Sequence, residues 1–324
     1  MVMASVRGTN KETISAQDVA EGIYDVKIKS ILFLTGISLI WGSQFFFVDL
    51  IISKVPPVTL AAVKALVGAI TLALIHFFLF TKKEQSPPSS TYQNKKVRVL
   101  YAAIALFEAI IPFFLIGWGQ QRVSSSIASI IMGTVPIFTL LILFIFRISR
   151  LRLMHFLSIV VGFIGILLMI LPSLTVDFTN QSLWGMPALI IASLSFAVSL
   201  VLIEKLPPMS PVLAMRNVLI IASIVLIPAS FLLENPLSMS LTFIEMLSLL
   251  ILGVFHAGTV YMMFNQLIKQ SGSAFASLTN YFVPVIGVIL GTILLGDQID
   301  AKTWFALMII LISLLMGSAA SKSK

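Results

Sequence analysis

The sequence predicts an all-α integral membrane protein, with ten transmembrane helices arranged as two inverted five-helix repeats and both termini cytoplasmic. Three observations predict it. Hydrophobic residues make up 58% of the chain and charged residues 10%, whereas a soluble domain is near half apolar and a quarter charged. About ten separate apolar runs reach the roughly 18–22 residues that cross a bilayer as a helix. One stretch also occurs twice. Ala128-Ser129 leads to Val135-Pro136, and Ala276-Ser277 leads at the same spacing to Val283-Pro284, an offset of 148 residues. The offset holds without a gap from about Leu106–Leu171 against Val254–Ala319, with apolar runs and polar breaks in phase. Five spans is an odd number, so the second copy enters the membrane upside down.

The elements follow in order. Residues 1–29 are polar and mixed in charge, which predicts a disordered or surface-lying cytoplasmic arm with no cleaved signal segment. The first repeat covers residues 30–172. Span 1 runs from about Ser30 to Ser53, and Lys54-Val55-Pro56-Pro57 breaks the chain before span 2, which ends near Phe80. A polar linker, Thr81–Val97, precedes span 3 (Val99–Trp118) and span 4 (Ser124–Phe146); the basic turn Arg147–Arg152 precedes span 5. The second repeat covers residues 182–319. Span 6 ends near Ile203, and Lys205-Leu206-Pro207-Pro208 repeats the earlier break. Spans 7 to 10 run over Val212–Leu233, Glu245–Ile268, Ser273–Leu295 and Lys302–Ala319, leaving a tail at 320–324.

Orientation follows from the basic residues. With the N-terminus inside, 16 of the 21 Lys and Arg fall in cytoplasmic segments, as the positive-inside rule requires. Lys54, Arg122 and Lys302 face outward, while Lys64 and Arg216 lie within spans. The net charge of +8 is thereby accounted for by topology, and no nucleic-acid partner is expected. Cysteine is absent, which excludes disulfides, thiolate metal sites and cysteine catalysis.

Inverted repeats are a signature of secondary transporters, whose substrate site lies near the midplane between the repeats. The candidates for that site are polar residues within apolar runs. Glu108 and His256 occupy the same position in the two copies, near the centres of spans 3 and 8. A midplane carboxylate costs about 2.5–3.5 kcal/mol on insertion scales and so faces a cavity or a partner. One reading gives this pair proton coupling or charge recognition, with the proton as coupling ion; the other makes Glu108 a neutral, hydrogen-bonded group and His256 a polar packing residue. Lys64 and Arg216 follow Lys54 and Lys205 by 10 and 11 residues. They either recognise an anionic group such as a carboxylate or snorkel to the nearer interface.

Trp41 and Gln44 share a face of span 1 beside Gly42. Ser277, Asn280, Tyr281 and Pro284 make one stripe at i, i+3, i+4, i+7. Its counterpart, Ser129, Met132, Gly133 and Pro136, is mostly apolar, so the polar cavity wall is expected on span 9. Pro136 and Pro284 each remove a backbone donor and bend a helix, for packing or for function. Trp118 is expected at the interface, His76 and His155 in structural roles, Gly287 and Gly291 in helix packing. Asp49 is expected to reach water. No nucleotide loop, HExxH or metal-ligand cluster occurs, so neither an enzyme nor a cofactor or metal site is expected.

Trp41-Gly42-Ser43, Pro56-Pro57 followed by Leu60-Ala61-Ala62-Val63-Lys64, the two Ala-Ser-x5-Val-Pro segments, and Gly162 with Gly165 carry a resemblance. Together they resemble the EamA-like branch of the drug/metabolite transporter superfamily, over about Ile31–Gly317. Members of that family often carry Arg where Lys64 stands, and an acid after the fourth span, where this chain has Ser149-Arg150; Asp297 keeps the acid after the ninth. The resemblance implies a multi-pass inner-membrane carrier that moves small metabolites, such as amino acids, by alternating access, often as an exporter. Uptake or exchange is the alternative direction. A membrane-embedded enzyme or an accessory subunit without transport is the alternative class. In the expected carrier Trp41, Gln44, Asn280 and Tyr281 contact substrate in a cavity bounded by spans 1, 3, 4, 6, 8 and 9.

Overall fold

The computed structural model describes residues 16–79, 94–147, 153–174, 182–207, 209–264, 266–267 and 279–322. The first part of the arm, most of the polar linker, residues 148–152 of the basic turn with Ser149-Arg150, Pro208, Ala276-Ser277 and the last two tail residues lie outside them, as do the side chains of Asn280 and Tyr281. The described residues are helical without strands. We label the helices α1 (Ala16–Asp49), α2 (Pro57–Leu79), α3 (Lys95–Gln120), α4 (Ser125–Ile145), α5 (Leu153–Leu174), α6 (Ser182–Ile203), α7 (Pro211–Leu233), α8 (Phe243–Phe264), α9 (Thr279–Leu290, continuing into a π turn at Gly291–Leu295) and α10 (Ala301–Lys322).

Among the described residues, seven helices are long and apolar enough to cross a membrane. Three shorter apolar helices, Leu153–Leu168, Phe282–Leu295 and Ala301–Met316, accompany them. Large apolar side chains such as Leu32, Phe77, Phe78, Ile224, Leu232 and Ile293 point outward, as lipid-facing surfaces require. The chain is a multi-pass membrane protein.

The caps are local and legible. Asn94 accepts from Lys96 N (2.9 Å) at the start of α3, and a Thr242–Glu245 capping box opens α8, each satisfying donors that a helix start leaves free. Two local features stand beside the expectations. The arm is not unstructured throughout, because residues 16–29 continue α1 toward the N-terminus; once an adjoining apolar helix is nucleated, extension is cheap. The two prolines also act differently. Pro136 opens the second half of α4 after an interruption at Gly133-Thr134 between Ser125–Met132 and Val135–Ile145. Pro284 sits inside a continuous α9.

Helices α2 and α7 pack together, as do α5 and α10, and α4 and α9. Helix α1 also lies on α9, α4 on α6, and α2 on α8. The α4–α9 crossing is close because of two glycines. A Cβ on Gly133 would come within 2.2 Å of Pro284 Cγ, and one on Gly287 within 2.2 Å of Ser129 Cβ. Helix ends meet on one face. The Glu234 carboxylate, at the end of α7, accepts from Val58 N (2.9 Å), Thr59 N (2.7 Å) and Thr59 Oγ1 (2.7 Å) at the start of α2. The Asp297 carboxylate, turned back after α9 by Gly296 (φ +73°), accepts from Ser126 N (2.9 Å) and Ser125 Oγ (3.2 Å) at the start of α4. Lys54 pairs with Glu245 at 3.2 Å, and Gln120 Nε2 donates to Phe45 O at 2.8 Å. This face therefore carries the ends of α1, α3, α7 and α9 and the starts of α2, α4 and α8.

Candidate functional site

Both central acid and base positions stand on π turns. Helix α3 loosens into a π turn at Leu106–Ile110 that carries Glu108, and α8 does so at Phe255–Thr259, carrying His256. Such turns recur at functional sites. In α3 the cause is visible in the sequence. Ile111 N reaches back to Leu106 O, and the next residue, Pro112, has no N–H, so Phe107 O is left without a helical donor. Ser195 Oγ of α6 supplies one at 2.9 Å. In α8, His256 Nδ1 lies 3.2 Å from Ile251 O and Thr259 Oγ1 donates to Val254 O at 3.0 Å, both five residues back. These side chains fill the opened turn.

The carboxylate is buried, with 4% of Glu108 exposed. Tyr261 OH on α8 donates to its Oε1 at 2.7 Å, and Ser199 Oγ on α6 donates to its Oε2. Two oxygens thus receive two hydroxyl donors from two other helices, an arrangement that suits a carboxylate acceptor. Lys64 on α2 is also 4% exposed. Its Nζ donates to Gln44 Oε1 of α1 at 3.1 Å and sits 4.2 Å from the centroid of the Phe113 ring. An aromatic face and an amide oxygen are what an ammonium accepts in place of water.

His256 closes the set. Its Nε2 is 3.2 Å from Ser43 Oγ of α1, and its ring meets Phe47 edge-on at 5.7 Å between centroids. Trp41, partly buried, tilts against Phe264 at 5.0 Å. Thr134, at the break in α4, lies 3.0 Å from Ser193 of α6 through their hydroxyls. The centre therefore joins α1, α2, α3, α6 and α8 through polar side chains, with hydroxyl, amide, ammonium, imidazole and carboxylate groups in one buried region.

Gln44, Lys64, Glu108 and His256 are thus gathered, with Trp41 one turn away on α1. Arg216 is not. Its guanidinium rests on Asn217 Oδ1 (3.1 and 3.3 Å) in the second turn of α7. Since the end of α7 meets the start of α2, the two helices run antiparallel, and Lys64 and Arg216 lie toward opposite ends of the pair. Trp118 stacks against Arg122 at 3.7 Å near the end of α3.

Sequence reasoning missed Tyr261, Ser199 and Phe113. The repeat offset held a signal for two of them: Phe113 and Tyr261 are counterparts 148 residues apart. One copy covers the ammonium with a ring, and the other binds the carboxylate with a phenol. Ser193, Ser195 and Ser199, all buried, were visible as three serines in one apolar run.

Comparisons with known proteins agree in length and kind. The EamA-like transporter family matches residues 28–171 and again 183–318. The chain is 26% identical over 284 residues to the uncharacterized inner membrane transporter YedA of Escherichia coli (strain K12), covering 87% of this chain and 88% of that one. It is 23% identical over 292 residues to the uncharacterized transporter YoaV of Bacillus subtilis (strain 168), covering 90% and 97%. Protein PagO of Salmonella typhimurium is 26% identical over 291 residues, covering 89% and 90%. A protein of known crystal structure shares the fold with a TM-score of 0.63 at 16% identity, over 90% of this chain and 96% of that one.

Proposed function

The chain belongs to the EamA-like transporter family, and from that premise we propose that it is a secondary carrier that exports small zwitterionic metabolites, amino acids or close relatives, by alternating access around the Lys64–Glu108 centre. The observation that carries this reading is the pair itself. A buried cation and a buried anion each have neutral partners, Gln44 and Phe113 for one, Tyr261 and Ser199 for the other. Taking such charges out of water costs several kcal/mol per ion, and only a ligand bearing both complementary charges uses both. Lys64 takes the carboxylate of the solute and Glu108 its ammonium. Gln44, Trp41 and His256 line the approach, and Asn280 and Tyr281 are the further residues assigned to substrate contact. Proton coupling belongs to Glu108, because protonating it removes the anionic half of the site; His256 tunes the field.

The architecture proposed is ten spans in two inverted repeats, residues 30–172 and 182–319. The mutual packing of α2 with α7, α4 with α9, and α5 with α10 supports it, since these are counterpart pairs under the repeat. The ends gathered on one face support the inversion: α2 begins there and its counterpart α7 ends there. The charge bias puts that face outside and both termini in the cytoplasm. The protein is a multi-pass protein of the inner membrane. Pro136 and Pro284 shape the crossing helices α4 and α9, while Arg216 serves the interface beyond the centre.

The test uses purified protein in sealed liposomes loaded with a mixed pool of amino acids, amines and carboxylates. Mass spectrometry follows which solutes cross, with and without a pH gradient. Passage of zwitterions ahead of plain amines and plain carboxylates is the expected result. Equal passage of all three, or none, sinks the zwitterion reading. Solutes that emerge with altered mass would point to an enzyme instead.

A further inference from the structure

We propose that an apolar plug one helical turn thick, ringed by inter-helix clasps, is the gate that closes the buried centre from the face where the ends of α1 and α7 meet the starts of α2 and α8. The proposal rests on the carrier reading, since a gate has meaning for a centre that opens to one side at a time. Its parts follow from sequence spacing and contacts together.

Val48, Ile51, Ile52, Leu60, Leu249 and Leu252 form one buried cluster, each at most 7% exposed. Three of them stand one turn from the polar centre on the same helices: Val48 from Gln44, Leu60 from Lys64, and Leu252 from His256. Four residues of helix rise about 6 Å. A single layer of apolar side chains thus separates the polar groups from the face. Every side chain in the cluster, Val55 included, is apolar, so it offers no hydrogen-bonding side chain to a charged solute.

Clasps stand immediately beyond that layer. Thr59, next to Leu60, and Val58 are held by Glu234 from the end of α7. Glu245, one turn before Leu249, is held by Lys54 from the α1–α2 connection. A third clasp, Asp297 on Ser125 and Ser126, joins the end of α9 to the start of α4. Each joins a helix of the first half of the chain to one of the second, so each must part if the halves separate on this face.

Their chemistry suits release. Glu234 and Asp297 are only partly buried, and the Lys54 side chain is 48% exposed. When such a contact breaks, water replaces the lost partner, and no buried charge is stranded. The centre behind the plug has the opposite character. The outer contacts can therefore open while the inner ones stay intact, and the order of events is built into their burial.

The chain has no cysteine, so the natural protein is a ready background for single-cysteine reporters at Val48→Cys and, separately, Leu249→Cys. A membrane-impermeant maleimide is applied to intact cells and, in parallel, to inverted vesicles, and the labelling rate is measured. The expected result is slow labelling in the parent. Glu234→Ala should raise the rate about fivefold, the factor an N-cap is worth, from one side only. Glu234→Gln keeps an acceptor oxygen and restores most of the slow rate. Lys54→Ala, an exposed change that leaves packing alone, raises it more modestly. Rates unmoved in all three variants, or raised equally from both sides, overturn the gate. Solute flux in the same vesicles separates this proposal from the one beneath it. Faster labelling with no flux of any solute leaves the gate and removes the carrier, whereas flux with unmoved labelling does the reverse.

Discussion

Replacing Tyr261 by phenylalanine removes one oxygen and almost no volume, so it deletes the phenol's bond to Glu108 while keeping the ring. Phenylalanine is also what the first copy carries at this position, as Phe113. The phenol donates to Glu108 Oε1 at 2.7 Å in a fully buried setting, while Ser199 holds the other oxygen. A hydrogen bond to an ionised group is worth about 1.5–3 kcal/mol, whereas neutral bonds between helices in a membrane average about 0.6 kcal/mol. The size of the loss therefore reports the charge on Glu108. The assay is a double-mutant cycle of Tyr261→Phe and Glu108→Gln, read by unfolding of the purified protein in detergent micelles. A coupling of about 2 kcal/mol is expected. That matches a melting shift of at most a few degrees for the single Tyr261→Phe variant. Two substitutions that simply add would refute the reasoning, because glutamine still offers the phenol an acceptor oxygen and a charge on Glu108 would then add nothing to the bond.

Three further outcomes follow from the same geometry. Lys64→Met deletes the buried cation while keeping its length; carboxylate-bearing solutes should bind about 10- to 100-fold more weakly, plain amines unchanged, and stability should fall, because Gln44 Oε1 loses its buried donor and the Glu108 carboxylate the cation of its centre. Equal loss for both solute classes, measured by competition binding, would take Lys64 out of the recognition role. For Glu108→Gln the parent should lose zwitterion binding as pH falls, since protonation removes the anion, and the variant should be weak and flat across the same range. A variant that keeps the parent's pH profile would assign the titration to another group. Gly287→Ala drives a methyl group onto Ser129 at 2.2 Å, so about 1–3 kcal/mol of destabilisation is expected, seen as a lowered midpoint of thermal unfolding; an unchanged midpoint would mean that α4 and α9 are not in such close contact.

Much of the fold was written in patterns that need no partner to read. Apolar runs of bilayer length marked the helices, and Pro56-Pro57 set the start of α2. The doubling at Glu108 and His256 pointed to the two helices that carry the centre. Other features depend on neighbours. The helical continuation of α1 below Ile28 follows from an apolar helix already formed, not from the composition of residues 16–29. Arg216 is the twin of Lys64 by spacing, and the inversion of the repeat puts the two toward opposite sides; only the contacts show that Lys64 meets Gln44 and Phe113 while Arg216 rests on Asn217. Glu234 and Asp297 are ordinary interfacial acids in the sequence, and their partners lie 175 and 171 residues away at Thr59 and Ser126.

The sequence by itself determined that this protein crosses the membrane many times and that its polar chemistry lies in the spans, because the length of an apolar run and the cost of a buried charge are properties of single segments. Only the tertiary structure decided which of those groups meet. Tyr261, Ser199 and Glu108 come from three helices, and Lys64, on a fourth, finds Gln44 on a fifth and Phe113 on α3, the helix of Glu108. Hydrogen bonds and charge contacts act over a few ångströms, while the residues that make them are separated along the chain by up to 213 positions, as for Ser43 and His256. Helix packing, set by close glycine crossings and apolar volume, brings them together.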